Sequence, residues 1–176
     1  MANAVEPARQ KVEQEAADEL VGAYVRNELR FDAAIDHRGG GFSEALAAAC
    51  PDGIDLYFET VGGPIWDGVL PLLNRYARIP VCGLVAHYNE AKPTSGSSAA
   101  ETMLTVLRRS LLIRGFINTE FEAGHYESFI KELSPLIRSG DIRYRENISE
   151  GLEAAPGAFI DMLAGRNFGK ALVRVS

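Results

Sequence analysis

The sequence predicts an α/β fold, a parallel sheet with flanking helices, and three observations predict it. Short apolar, β-prone runs alternate with stretches of helical periodicity along most of the chain. The run Ile54-Asp55-Leu56-Tyr57-Phe58-Glu59 leads through Thr60-Val61 into the double-glycine corner Gly62-Gly63. One helix-length later, a second apolar run, Ile79 to Val85, carries a glycine of its own at Gly83. Parallel neighbours need a crossover, so strand, tight turn, helix, next strand is the order expected of a parallel sheet. Such sheets bind ligands at the carboxyl ends of their strands, which directs attention to these two corners.

Taking the chain in order, Met1 to about Glu15 is polar and alanine-rich and reads as a flexible arm. From Val12 to Leu29, the residues Leu20, Val21, Tyr24, Val25 and Leu29 recur at helical spacing and predict an amphipathic helix. Phe31 to Ile35 reads as a short buried strand. Gly39-Gly40-Gly41 breaks the chain, and Ser43 is the expected N-cap of a helix over Glu44 to Ala49. Pro51-Asp52-Gly53 is turn chemistry before the central strand. Pro64 suits a first helical turn, followed by Ile65, Trp66, Val69, Leu72 and Leu73 at helical spacing. Pro80 is expected near the start of the next strand, where a missing N–H is tolerated. A polar loop, Asn89 to Ser98, leads to a helix over Ala99 to Arg109 and a strand over Leu111 to Ile117. Tyr126 to Ile137 reads as an amphipathic helix stopped near Gly140. A strand (Arg143 to Ile148), a helix (Leu152 to Leu163) and a closing strand (Ala171 to Val175) finish the chain, these strands being candidates for a separate sheet.

The totals bound the function classes. In 176 residues, 47% hydrophobic and 24% charged composition suits a folded globular chain of one domain or slightly more. A net charge of −6 argues against a nucleic-acid or anionic-membrane surface, both of which need a basic footprint. Cys50 and Cys82, far apart and without a CxxC, predict neither a disulfide framework nor a structural zinc. No apolar run nears the roughly 20 residues of a membrane span and no leader opens the chain, so a cytoplasmic location is expected.

Each candidate motif carries two readings. Thr60-Val61-Gly62-Gly63 lets backbone approach a ligand and offers a hydroxyl, or is simply a turn needing positive φ. Cys82-Gly83-Leu84-Val85-Ala86-His87-Tyr88-Asn89 places a glycine where a flat ring can lie and a phenol that can donate a hydrogen bond, or is a strand running into a surface loop. His37, His87 and His125 lack metal-ligand spacing, no serine lies in GxSxG, and Arg108-Arg109 reads as a solvated helix end. A dinucleotide site also needs a glycine-rich phosphate turn, and the chain has no GxGxxG.

Taken together, Phe31 to Asp36, Pro51 to Phe58, Val61-Gly62-Gly63, Arg78 to Gly83, Tyr88-Asn89 and Asn167-Phe168-Gly169-Lys170 resemble, in this order, the zinc-free medium-chain dehydrogenase/reductases. The nearest group is the NADP-dependent alkenal/enone reductases. The resemblance runs from Leu20 to Val175 and implies a partial Rossmann-like domain over 20–140, after a flexible arm at 1–19, and a segment of the catalytic domain over 141–176. It implies NADPH as cofactor, an enone or enal as substrate, and hydride transfer to the β-carbon with protonation at the α-carbon. Cofactor contacts would fall on His37, Thr60, Cys82, Gly83, Leu84, Val85, Ala86, His87, Tyr88, Phe116, Ile117, Asn118 and Asn167, with Tyr88 steadying the substrate oxygen as the catalytic residue. No metal is implied.

Three departures qualify it. Tyrosine is usual where His37 stands and asparagine where Thr60 stands. The lysine that meets the 2′-phosphate would fall near Val21 or Gly22. The family's N-terminal catalytic domain and first βαβ unit, with its glycine-rich loop, are not in these residues, which predicts weak or absent NADPH binding by this chain alone. The competing reading is a non-catalytic Rossmann-like remnant that forms a homodimer, with Leu111 to Ile117 as an edge strand inviting strand addition.

Overall fold

The computed structural model describes residues 19–38, 40–88 and 99–175. The expected arm, the start of the first helix, Gly39 and the Asn89 to Ser98 loop lie outside them. The chain forms two compact units, one of Ala33–Tyr126 and one of the flanking stretches, up to Asp32 and from Glu127 on.

Helix α1 covers residues 19–27 within the flanking unit. The strand expected over Phe31 to Ile35 does not form. Apolar side chains alone do not make a strand without a partner ladder, and these residues run as irregular backbone with Phe31 exposed.

In the central unit, α2 (Phe42–Ala49) starts two residues earlier than the expected Glu44. Its N-cap is Gly41 in the left-handed region, whose carbonyl accepts the Ala45 N–H, so Ser43 sits inside the first turn and caps nothing. After the Pro51-Asp52-Gly53 turn come β1 (Ile54–Leu56), α3 (Gly63–Val69, with Pro64 in its first turn) and β2 (Leu73–Val81). Helix α4 (Ala99–Arg109) has the expected bounds, β3 (Leu112–Gly115) follows, and α5 (Thr119–Ser139) begins in this unit and runs on beyond Tyr126 as part of the flanking one. The three strands lie in the order β1-β2-β3, all parallel, with β2 in the centre.

β2 begins earlier than the expected Ile79 and ends at Val81, while Val85 belongs to a short 3₁₀ turn, Val85–His87. Pro80 is therefore not at the strand's start but next to its end, on a strand paired on both sides. The sheet accepts it because of where its missing donor would point. The Pro80 carbonyl accepts the Glu59 N–H at 2.9 Å. In a regular parallel ladder, residue 80 would in turn donate to the Tyr57 carbonyl. Proline cannot, so pairing with β1 lapses after Leu56 and resumes only as a bridge between Glu59 and Val81.

The buried core is made by Val69, Leu70, Leu73, Ala77, Ile79 and Leu111, with Leu46, Ile54, Trp66 and Val106 packed against it. Leu73 and Ile79 are fully enclosed, each contributing on the order of 2 kcal/mol. Arg109, expected in solvent, turns inward and donates to the Leu73 carbonyl. That bond anchors the end of α4 to the start of the central strand.

In the flanking unit, β4 (Glu146–Glu150) and β5 (Lys170–Arg174) form a separate parallel pair in register from Glu146–Lys170 to Glu150–Arg174. Helix α6 (Ala155–Leu163) is their crossover. β4 starts later than Arg143, whose guanidinium pairs instead with Glu28. Gly169 (φ 97°) is required before β5, because a Cβ there would stand 2.2 Å from the Arg145 carbonyl oxygen.

Candidate functional site

The two glycine-bearing corners lie side by side at the carboxyl ends of the parallel strands β1 and β2. Glu59 is their hinge. Its carbonyl accepts the N–H groups of Cys82 (2.9 Å) and Gly83 (3.3 Å), the first residues past β2. Further out, Val85 N–H donates to the Thr60 carbonyl (3.1 Å) and Ala86 N–H to that of Val61 (3.0 Å). The second corner is thus laced onto the first by main-chain bonds outside the regular ladder.

Small residues are needed for so close an approach. Gly62 has φ 76° and ψ −160°, a region essentially restricted to glycine. A Cβ on Gly62 would also press on Leu84 and His87 at 3.1–3.2 Å. A Cβ on Gly83 would stand 2.9 Å from the Tyr88 hydroxyl oxygen and 3.4 Å from the Thr60 carbonyl oxygen. The Tyr88 ring therefore folds back over Gly83 while remaining 70% exposed, its hydroxyl at the lip of the crevice.

Thr60, Cys82, Leu84, Val85 and Ala86 are exposed along this edge, and Gly83 and His87 are half-buried. At the end of β3, Phe116 N–H donates to the Val81 carbonyl (3.1 Å). The half-buried Phe116 ring stands edge-on to Phe58 and Phe121 at 6.1 and 5.9 Å. Ile117 N–H donates to Glu120 (3.0 Å), and the Asn118 carbonyl accepts the Phe121 N–H as α5 begins. Of the residues singled out from sequence, Thr60 and Cys82 through Tyr88 are brought together, and Phe116 joins them through Val81. His37 is exposed in the irregular stretch before α2, with no hydrogen bond or ring contact to this edge among the described residues. Asn167 belongs to the flanking unit, where its amide donates to the Gly169 carbonyl at 2.7 Å.

Sequence reasoning missed Glu59 as a site residue. It is only 2% exposed, and its Oε1 accepts from Val61 N–H (2.7 Å), Gly62 N–H (2.8 Å) and the Tyr57 hydroxyl (3.2 Å). Burial, and after it the Glu59 carboxylate, raises the Tyr57 pKa well above the ordinary 10.0 of a phenol, so Tyr57 stays a donor. The signal that could have found Glu59 is a carboxylate interrupting an apolar strand just before a glycine turn whose amides have no ladder partner.

With this geometry in view, the relatives are informative. A family described as zinc-binding dehydrogenase matches residues 29–173. The chain belongs to this family. It is 46% identical over 149 residues to an NADPH-dependent curcumin reductase of Escherichia coli (strain K12), covering 84% of this chain and 43% of that protein. It is 35% identical over 154 residues to a 2-alkenal reductase (NADP(+)-dependent) of Nicotiana tabacum, covering 86% and 43%. Among solved structures, CurA from Vibrio vulnificus in complex with NADPH superposes with a TM-score of 0.84 at 40% identity, covering 89% of this chain and 47% of that one. The chain thus spans less than half the length of the relatives it matches. Among the described residues, no group of three or more His, Cys, Asp or Glu side chains is arranged to hold a metal ion, and no helix is long and apolar enough to cross a membrane.

Proposed function

We propose that this chain is the nicotinamide-facing part of an NADPH-dependent reductase acting on the carbon–carbon double bond of α,β-unsaturated ketones and aldehydes. One observation carries the reading: two adjacent glycine corners at the carboxyl ends of parallel strands, with a phenol at their lip. That is where an open α/β sheet binds its ligand. Relatives that are NADPH-dependent curcumin and alkenal reductases support it.

The fit to the cofactor is one-sided. Close backbone approach at Thr60 to Gly62 and Cys82 to Tyr88, with the exposed Thr60 and Tyr88 hydroxyls, suits a flat carboxamide-bearing ring, and Phe116 through Asn118 extend the edge. The chain carries no GxGxxG turn to seat a pyrophosphate on a helix N-terminus. When bound, NADPH supplies the hydride for the substrate's β-carbon. The chain's own part is to exclude water with the apolar rim of Leu84 and Val85 and to donate from Tyr88 to the substrate oxygen. Negative charge grows on that oxygen, where a placed donor is worth most. The 141–176 segment is assigned to the catalytic domain of the longer family members.

Fluorescence or calorimetric titration of the purified chain with NADPH tests this reading. Weak but saturable binding, weakened further by Gly83→Ala, is expected. No binding at millimolar NADPH sinks it. A second reading, homodimerisation through strand addition at β3, is favoured by that strand's place at the edge of the described sheet with Leu112 exposed. A strict monomer by light scattering at high concentration removes it.

A further inference from the structure

Glu59, the buried carboxylate among the described residues, has no part in the chemistry above, yet its side chain holds one lip of the crevice and its main-chain carbonyl the other. We propose that Glu59 is a positioning residue: its carboxylate clamps the Thr60–Gly62 turn in the shape that the Cys82–Tyr88 corner and a nicotinamide ring require. The link to nicotinamide rests on the functional reading above; the clamp does not.

The division of labour within this one residue is the first argument. Main-chain Glu59 belongs to the sheet, with its N–H on Pro80 and its carbonyl on Cys82 and Gly83. Its side chain turns along its own strand and takes the Val61 and Gly62 amides on a single oxygen. Those amides precede α3 and have no other partner in the sheet or helix. The carbonyls of the same turn, Thr60 and Val61, are taken by Val85 and Ala86. The carboxylate therefore fixes from below the peptide units on which the second corner hangs from above. Among the described groups, the Thr60 hydroxyl is left as the turn's unengaged polar side chain, facing outward.

The cost of the arrangement is the second argument. Glu59 Oε2 is buried and accepts from no described group. A carboxylate oxygen kept dry without a partner carries a desolvation cost, which offsets part of what the three bonds to Oε1 contribute. Gly62 adds to the cost, because its unusual backbone angles must be held against the freedom of a glycine. A costly carboxylate holding a costly turn is expected where the turn's exact shape matters.

The turn's own amides are not offered to an anion. The Val61 and Gly62 amides, which lead into α3, are already committed to an internal carboxylate. This lip is then a rigid wall for a neutral ring, which agrees with the nicotinamide end of a dinucleotide rather than its pyrophosphate.

The test is amide hydrogen exchange by NMR on the full chain, comparing wild type with Glu59→Gln and Glu59→Ala. Glutamine keeps the acceptor and loses the charge. Val61 and Gly62 amides are expected to exchange roughly tenfold faster in Glu59→Gln, and faster still in Glu59→Ala, with Ile79 and Val81 in the central strand unchanged. NADPH affinity should fall in the same order, with glutamine retaining more of it than alanine. Unchanged Val61 and Gly62 exchange in a folded Glu59→Gln overturns the clamp. So does acceleration spread equally over β2, which would mark Glu59 as a general stability residue. If alanine fails to fold, the glutamine variant still decides. If wild type binds no NADPH, the nicotinamide link and the functional reading fall together, while the exchange data still decide the clamp.

Discussion

The central unit, Ala33–Tyr126, and the flanking unit are both built of parallel strands joined by helical crossovers, yet they differ in what holds them. The central sheet has a helix-covered core in which Leu73 and Ile79 are lost to solvent entirely. In the flanking unit, no described residue is buried. Phe159, Ile160 and Leu163 of α6 and Val175 beyond β5 are largely exposed. Its order comes from the five-residue β4–β5 register, the Tyr24–Phe168 ring contact at 5.2 Å and Arg145 stacked 4.0 Å over Phe168. A two-stranded pair without a buried face is marginal by itself. The comparison teaches that the same supersecondary unit can be built around an enclosed core in one place and stand with its apolar side chains exposed in the other.

The sharpest way to break this comparison is to truncate one leucine in each unit. Leu73→Ala should cost about 3 kcal/mol in urea unfolding, whereas Leu163→Ala should cost below about 1 kcal/mol. Equal losses would mean the flanking unit has a core after all. Next in size, Gly169→Ala forces a Cβ into the Arg145 carbonyl at a positive φ and should cost about 2 kcal/mol. Accelerated amide exchange in β4 and β5, with β2 unaffected, would confine the damage to the flanking unit.

A smaller effect is expected at Tyr57→Phe, which removes one donor from Glu59 and should cost about 1 kcal/mol at neutral pH. Its pH dependence has a definite sign. Below pH 10 folded and unfolded chains both hold the phenol proton. Above it the unfolded chain releases the proton while the folded chain retains it, so wild-type stability falls as pH rises past the ordinary value. Thermal melts from pH 8 to 11 should show a shallower alkaline decline in the phenylalanine variant. Least of all, Arg174→Ala removes an exposed ion pair to Glu150 at 2.6 Å and should shift unfolding by about 0.3 kcal/mol.

Much of the architecture was legible because it follows from local chemistry. α4 could be bounded to the residue between the polar loop before it and the Arg108-Arg109 pair at its end, Pro64 announced the start of α3, and Gly62-Gly63 marked the corner. The two lips of the crevice were legible as glycine-bearing strand ends lying side by side, although the main-chain bonds that lace them together were not. The failures are equally physical. Phe31 to Ile35 has a strand's composition and no partner. Ser43 has a cap's chemistry, but Gly41 supplies the turn two residues earlier. Pro80 looks like a strand boundary until the ladder shows that its missing N–H leaves one gap, opposite Tyr57. Arg109 reads as solvent-facing because nothing in its neighbours announces the Leu73 carbonyl.

By itself the sequence determined the class of fold, the order of the elements from α2 onward and the family, because apolar period, turn residues and ordered motifs are written along the chain. Only the tertiary structure decided that Glu59 is buried, that one oxygen of it holds two amides, and that Tyr88 folds over Gly83. Burial and hydrogen-bond pairing depend on which distant backbone groups arrive at the same place, and linear spacing carries no record of that.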